Sequence, residues 1–322
     1  VTRPGYRACA FGVCWHADLP LPEFFEADTS RARGPHGEVC IRSVAFLADR
    51  EALHRVNRGI VCRDGIRFPW EQEIVFDMFD GKRIEYLPMA GGGHRLPASF
   101  YGTVAAITLA WRGAVPIHAS AVEVDGLAFL IAGPSGAGKS SLAAGLIAVG
   151  ARLVSDDLTV VWLRGNSGAA EVYPGRAAMR QHSATASLMA ADLCVPVTGD
   201  PRRKWLVRPV ARTSAANLPL GGILLLANGG PLNDRAQHAA MLGSNLFRPR
   251  WLAALPSHGS IRRDLLAIGA TVPMAAFPAV GMFDPLEARN RAEQALEAIA
   301  AMARSRSGHV DQSPKVRADE RC

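Results

Sequence analysis

Lysine is scarce in this chain: Lys82, Lys139, Lys204 and Lys315 are the only four among 36 basic residues. The formal net charge of +7 therefore rests on arginine. No dense basic block and no aromatic RNA-reading motif accompanies it, so nucleic acid is not an expected partner. Abundant Arg and Ala read as compositional bias, with attraction of an acidic partner as the functional alternative. Cysteine pairs at metal or redox spacing are also missing. Cys9, Cys14, Cys40, Cys62, Cys194 and Cys322 contain no C-x-x-C and no Cys/His zinc pattern. With no secretory leader at the start, they read as reduced thiols of a cytoplasmic protein. Long apolar runs are lacking too. The longest of helical type, Ala98–Trp111, is too short to cross a bilayer, so no membrane partner is expected. No internal repeat occurs. What is present is an ordinary globular composition, 49% hydrophobic and 20% charged, which excludes wholesale disorder.

The 322 residues suffice for one large or two modest domains. Residues 1–95 carry short apolar runs broken by Pro, Gly and Asp, such as Tyr6–Trp15, Glu38–Leu47 and Glu73–Phe79. They predict a small β-rich domain with one short helix around Asp49–Arg58. The glycine-rich stretch Met89–Pro97 reads as a hinge. Residues 96–304 then change period. Ser99–Trp111 reads as a helix ended by Gly113. Ile117–Val124 and Leu127–Ala132 read as strands joined at Asp125-Gly126, a two-residue hairpin signal. Ser140–Val149 reads as a helix closed by Gly150, Leu153–Ser155 and Leu158–Leu163 as a strand and its continuation, and Ile223–Ala227 as a buried central strand. This alternation predicts an α/β domain, completed by a helix at Asn290–Ala303. Residues 305–322 read as a disordered polar tail.

The strongest chemical signal is Gly133-Pro134-Ser135-Gly136-Ala137-Gly138-Lys139-Ser140, which matches G-x-x-x-x-G-K-[ST] between an expected strand and helix. Glycines let the backbone curl so that its N–H groups face phosphate oxygens, and the helix that follows turns its positive end to the same anion. Lys139 can reach the β and γ phosphates and the Ser140 hydroxyl can ligate magnesium; Ser141 completes the loop. ATP, or another nucleoside triphosphate, and Mg2+ are thus the expected ligands. Ser155-Asp156-Asp157 closes an apolar strand, where open α/β sheets gather ligands. One carboxylate can hold the cation and the other can take a proton from an attacking hydroxyl; a solvated turn is the plainer reading. His118 stands alone in an apolar strand, a setting more common for a core histidine than for a catalytic one.

Together, Ile117-His118-Ala-Ser-Ala-Val122, the glycine-rich loop and Gly150-Ala-Arg-Leu-Val-Ser-Asp-Asp157 resemble the catalytic domain of HPr serine kinase/phosphorylase, whose fold is related to that of phosphoenolpyruvate carboxykinase. The resemblance implies Asp156 as base for the acceptor hydroxyl, Ser140 and Asp157 as magnesium ligands, and His118 and Lys139 as further active-site residues; the two aspartates are interchangeable at this level. The family's habit of forming hexamers leaves self-association open. Residues 1–95 do not resemble that family's N-terminal domain, and Glu171-Val-Tyr-Pro-Gly-Arg176 replaces its downstream signature. Both departures point away from HPr as acceptor. The whole chain is more similar to the HPr-kinase-related kinases of ribosomal peptide pathways, lasso peptides included, through Tyr6-Arg7, Leu19-Pro-Leu-Pro22, Tyr173-Pro-Gly175 and the basic cluster Arg202-Arg203-Lys204. That likeness implies transfer to the C-terminal serine of a precursor peptide. The alternatives are an HPr-like or small-molecule acceptor, phosphorolysis at the same site, or a nucleotide-gated binding module. Arg176, Arg180, Arg203 and Lys204 are candidates for holding phosphate or an acidic substrate, since arginine clamps phosphate oxygens in pairs.

Overall fold

The computed structural model describes residues 5–25, 34–71, 73–89, 95–165, 168–197, 203–213, 216–227, 235–279 and 285–310. Within them the chain is a mixed α/β protein built on three sheets.

The first sheet collects β1 (Tyr6–Ala10), β2 (Val13–Ala17), β3 (Glu38–Ser43), β4 (His54–Val56), β5 (Gly59–Cys62), β6 (Gly65–Trp70), β7 (Ile74–Phe79) and β8 (Arg83–Pro88). Their order is β1-β2-β3-β8-β7-β6-β5-β4. Alternation of buried and exposed residues, as in Val39 and Ile41 or Ile84 and Tyr86, turns one face to the core. The short helix expected around Asp49–Arg58 is absent. His54, Arg55 and Val56 instead pair with Val61, Ile60 and Gly59, across a tight turn that Asn57 enters at φ +53°. A continuous ladder of cross-strand hydrogen bonds overrides the weak local preference of so short a segment. Residues 90–94 of the expected hinge lie outside the described residues.

A π-helical turn at Phe100–Val104 runs into α1 (Ala105–Trp111), and almost every side chain of the pair is buried. Next come β9 (Val115–Ile117), β10 (Ala119–Val124), β11 (Leu127–Ala132), α2 (Lys139–Ala148), β12 (Arg152–Ser155), β13 (Thr159–Arg164) and β14 (Ala169–Val172). A small satellite sheet uses β15 (Met179–Gln181), β16 (Ala191–Pro196) and β17 (Trp205–Pro209), with α3 (Ser183–Ala186) between its first two strands. The chain closes with β18 (Leu218–Leu226), α4 (Arg235–Ser244), α5 (Pro249–Leu252), α6 (His258–Thr271), β19 (Met274–Phe277) and α7 (Pro285–Val310). The central sheet runs β12-β10-β11-β18-β14-β13-β9, and β19 also pairs with β18. β18 lies parallel to both β11 and β19, so the ends of β11 and β18 meet where the glycine-rich loop begins.

Two apolar layers cover the two faces of this sheet. On one side Leu142, Leu146 and Ile147 of α2 meet Ala292, Ala295, Ile299 and Met302 of α7. On the other, the first sheet and α1 share one continuous core with the central sheet, including Trp15, Ile41, Phe76, Phe100, Ile107 and Leu225. Each such large side chain contributes roughly 1.5–3 kcal/mol by leaving water. The helix α7 extends to Val310, so the first residues of the expected tail are helical; residues 311–322 lie outside the described residues.

Candidate active site

The loop between β11 and α2 has the backbone its glycines require. Gly133 sits at φ +153°, Gly136 at +85° and Gly138 at +89°. A Cβ on Gly133 would also come within 2.8 Å of the Leu226 carbonyl oxygen, so the approach of β18 excludes any larger residue there. The Gly133 N–H donates to Asn245 Oδ1 at 2.8 Å. Asn245 is buried, and its Nδ2 is held by the Met241 carbonyl. Lys139 is buried as well, and its Nζ donates to the carbonyls of Gly133 (2.8 Å) and Pro134 (3.0 Å). Burial lowers the pKa of this ammonium, Asp157 and Asp156 work against that, and Lys204 adds to it. Two carboxylates and a second lysine are therefore close enough to act on Lys139. Gln181 of β15 donates to the Ser140 carbonyl at 2.8 Å, tying the satellite sheet to the first turn of α2.

The aspartate pair follows β12 and is split by its surroundings. Asp156 is buried, and its Oδ1 accepts the Ser120 hydroxyl at 2.6 Å, while Oδ2 receives only a long 3.4 Å bond from the Arg180 N–H. Asp157 turns the other way, at φ +67°, with 39% of its side chain exposed. Its Oδ2 accepts from Arg176 Nη1 at 2.9 Å, and its Oδ1 lies 3.4 Å from His118 Nδ1. Burial would raise the Asp157 pKa, but Arg176, His118, Arg180 and Arg248 outweigh it and hold the carboxyl below its ordinary value. His118 marks a break between β9 and β10. Its N–H donates to the Asn245 carbonyl (2.7 Å), and its Nδ1 also lies 3.0 Å from the Asp157 carbonyl. Burial, then Lys139, lowers the imidazole pKa.

Of the cations singled out in the sequence, two converge on this point. Arg176 is buried, and burial opposes its charge, yet Glu23, Asp157 and Asp156 raise its pKa. Arg180 reaches Glu23 Oε1 at 3.3 Å. Lys204 acts on Lys139 at longer range, and Arg203 is exposed; Arg202 lies outside the described residues. Three participants carry no local sequence signal, Asn245, Arg248 and Glu23, whereas Ser120 lies within the Ile117–Val122 motif without having been singled out there. Arg248 is held at φ +56° with its Nε on Thr103 Oγ1 at 3.1 Å.

The residues present fit a triphosphate and a divalent cation. The loop amides, the positive end of α2 and Lys139 would supply the anion site. Among the described residues no group of three or more His, Cys, Asp or Glu is arranged to hold a metal alone. Magnesium suits such a place, because it takes one or two carboxylates and completes its shell with phosphate oxygens and water.

Comparison with known proteins places the resemblance where these residues lie. Residues 110–176 match the family described as HPr Serine kinase C-terminal domain, a segment that holds His118, the loop, both aspartates and Arg176. No curated protein compared with the chain matches it significantly. Among solved structures, the HPr(Ser) kinase/phosphatase from Coxiella burnetii aligns at 17% identity, covering 62% of this chain and 99% of that one. The TM-score is 0.31, a likeness too loose to fix the fold. No helix among the described residues is long and apolar enough to cross a membrane.

Proposed function

We propose that this chain is an ATP- and magnesium-dependent kinase that transfers the γ-phosphoryl group to a serine hydroxyl, with the C-terminal serine of a ribosomal, lasso-type precursor peptide as acceptor. One observation carries the reading: His118 lies 3.4 Å from Asp157, and Lys139 of the loop is within electrostatic reach of His118, Asp156 and Asp157. The family match over residues 110–176 supports the same chemistry.

In this reading the loop amides and Lys139 hold the phosphates, with Ser140 and Asp157 facing the cation. Magnesium held there would supply charge neutralisation on the phosphates. Asp156 is the base. Ser120 fixes its Oδ1, leaving Oδ2 to take the hydroxyl proton. The serine oxygen forms a bond to the γ-phosphorus as the bond from that phosphorus to the β–γ bridging oxygen breaks, and ADP leaves. Positioning and charge neutralisation provide most of the rate. Lys204 and Arg180, at the edge of the site, favour an acceptor that brings negative charge, as a chain-terminal carboxylate does.

Mass spectrometry of candidate acceptors after incubation with ATP and magnesium tests this. A serine-ending precursor peptide and an HPr-like protein run side by side, with wild type and Asp156→Asn. Gain of one phosphoryl group on the peptide, lost in the variant, is the expected result. Transfer to the HPr-like protein alone would move the acceptor. Absence of transfer to either would leave a small-molecule acceptor or a nucleotide-gated binding module.

A further inference from the structure

Glu23 lies in the segment after β2, far in sequence from any residue of the loop or the aspartate pair. It is 6% exposed. Its Oε2 accepts from Arg176 Nη2 at 2.5 Å, and its Oε1 from Arg180 at 3.3 Å. The backbone holds it there twice over. Phe24 forms a β-bridge with Arg176, and the Ala177 N–H donates to the Glu23 carbonyl at 2.9 Å. Phe24 is locked by rings of Trp15 and Tyr101, each 5.1 Å away. The other amino group of Arg176 faces Asp157 Oδ2. One guanidinium is therefore shared by two carboxylates, one buried behind it and one at the site.

Charge decides what this arrangement does. Arg176 paired with Asp157 alone is neutral and offers a cation little. With Glu23 present the Arg176 charge is divided between two carboxylates, Glu23 being met by Arg180 as well, and the exposed carboxylate is Asp157. We propose that Glu23 is a positioning residue of the transfer site, which takes up half of the Arg176 guanidinium and so leaves Asp157 anionic enough to bind a divalent cation beside the triphosphate. The inference rests on the kinase reading given above. It goes further by making the cation site depend on a residue of the first ninety. A purely structural ion pair is the competing account, since removing one partner of a buried pair destabilises a fold whatever its function.

Mn2+ serves as the probe, titrated by electron paramagnetic resonance in the presence of a non-hydrolysable ATP analogue. Wild type, Glu23→Gln and the double variant Glu23→Gln/Arg176→Gln are compared, with thermal unfolding as a check. Partners of metal ligands typically govern affinity by about ten- to a hundredfold. Glu23→Gln is expected to weaken Mn2+ about tenfold within that range, while leaving metal-free nucleotide binding near wild type. The double variant, in which Asp157 again stands alone with its charge, is expected to recover most of the loss. Unchanged Mn2+ affinity in Glu23→Gln would overturn the proposal, as would a folded double variant that binds Mn2+ as weakly as the single one. Should Glu23→Gln fail to fold, the double variant decides alone: Mn2+ affinity near wild type is the expected result, and a loss of about tenfold or more would overturn the proposal. Wild type that takes up no Mn2+ with nucleotide contradicts the kinase reading itself, an outcome distinct from a loss confined to the variants.

Discussion

His118 shows how a residue that the sequence leaves ambiguous gains a definite place. It lies between Asp157 and Phe247, with ring centroids 5.7 Å apart on the latter side. Burial, then Lys139, lowers its pKa and so favours the neutral form. A free histidine is half protonated near pH ~6.5, so as pH falls the unfolded chain takes the proton first. The stability tied to neutral His118 is thus complete above about pH 6.5 and is lost progressively below it. Urea titrations from about pH 7 to 5 should show a shallower loss of stability in His118→Gln; an unchanged slope would contradict this. The aspartates divide in the same way. Asp157→Asn should raise the magnesium requirement, whereas Asp156→Asn should abolish transfer at saturating magnesium. The reverse pattern in a metal titration would exchange their roles. The sequence placed both aspartates together but could not separate them, because the separation comes from Ser120 and Arg176, which only the fold brings near.

Among the elements, those governed by short-range rules were legible. The Asp125-Gly126 turn sits between β10 and β11 with both residues at positive φ, and helix α2 begins where the loop ends. Ile117–Val124, read as one strand, is instead divided at His118, with β9 pairing to β13 and β10 to β11 and β12. The cause is distant in sequence. The segment after α4 bonds across the break, with Phe247 N–H on the Pro116 carbonyl and a bridge from Ile117 to Leu246. No local pattern announces such a pairing. The same segment delivers Asn245 to Gly133. Asn245→Ala would leave that buried N–H unsatisfied and should cost about 1–3 kcal/mol in urea unfolding, together with weaker nucleotide binding. Stability and affinity both at wild-type levels would remove Asn245 from the account.

Over the whole molecule, the β-rich first part and the α/β part meet across one core rather than touching at a surface. The tip of the β1–β2 hairpin shows why. The Phe11 N–H donates to the Pro174 carbonyl, Trp162 Nε1 donates to the Phe11 carbonyl, and the Phe11 ring fills the space beside Gly175. Gly175 immediately precedes Arg176, so the hairpin packs directly beneath the site. A Cβ at Gly175 would press on that ring and approach Ser155 Oγ to 2.6 Å. Gly175→Ala should therefore lower stability by roughly 1–3 kcal/mol, seen as a drop in Tm; an unaltered Tm would show that the hairpin yields freely. The sequence marked two compositional regions and no contact between them, since such packing leaves no periodic trace in either. Transfer requires a triphosphate seated in the Gly133–Ser140 loop with Lys139 on its phosphates. Calorimetric titration of wild type, Lys139→Ala and Asp156→Asn with ATP and magnesium tests this most directly. Removing a charged hydrogen bond to phosphate, worth about 1.5–3 kcal/mol, should weaken binding in Lys139→Ala by at least about tenfold, whereas Asp156→Asn should bind like wild type. Equal affinity in wild type and Lys139→Ala would contradict the account.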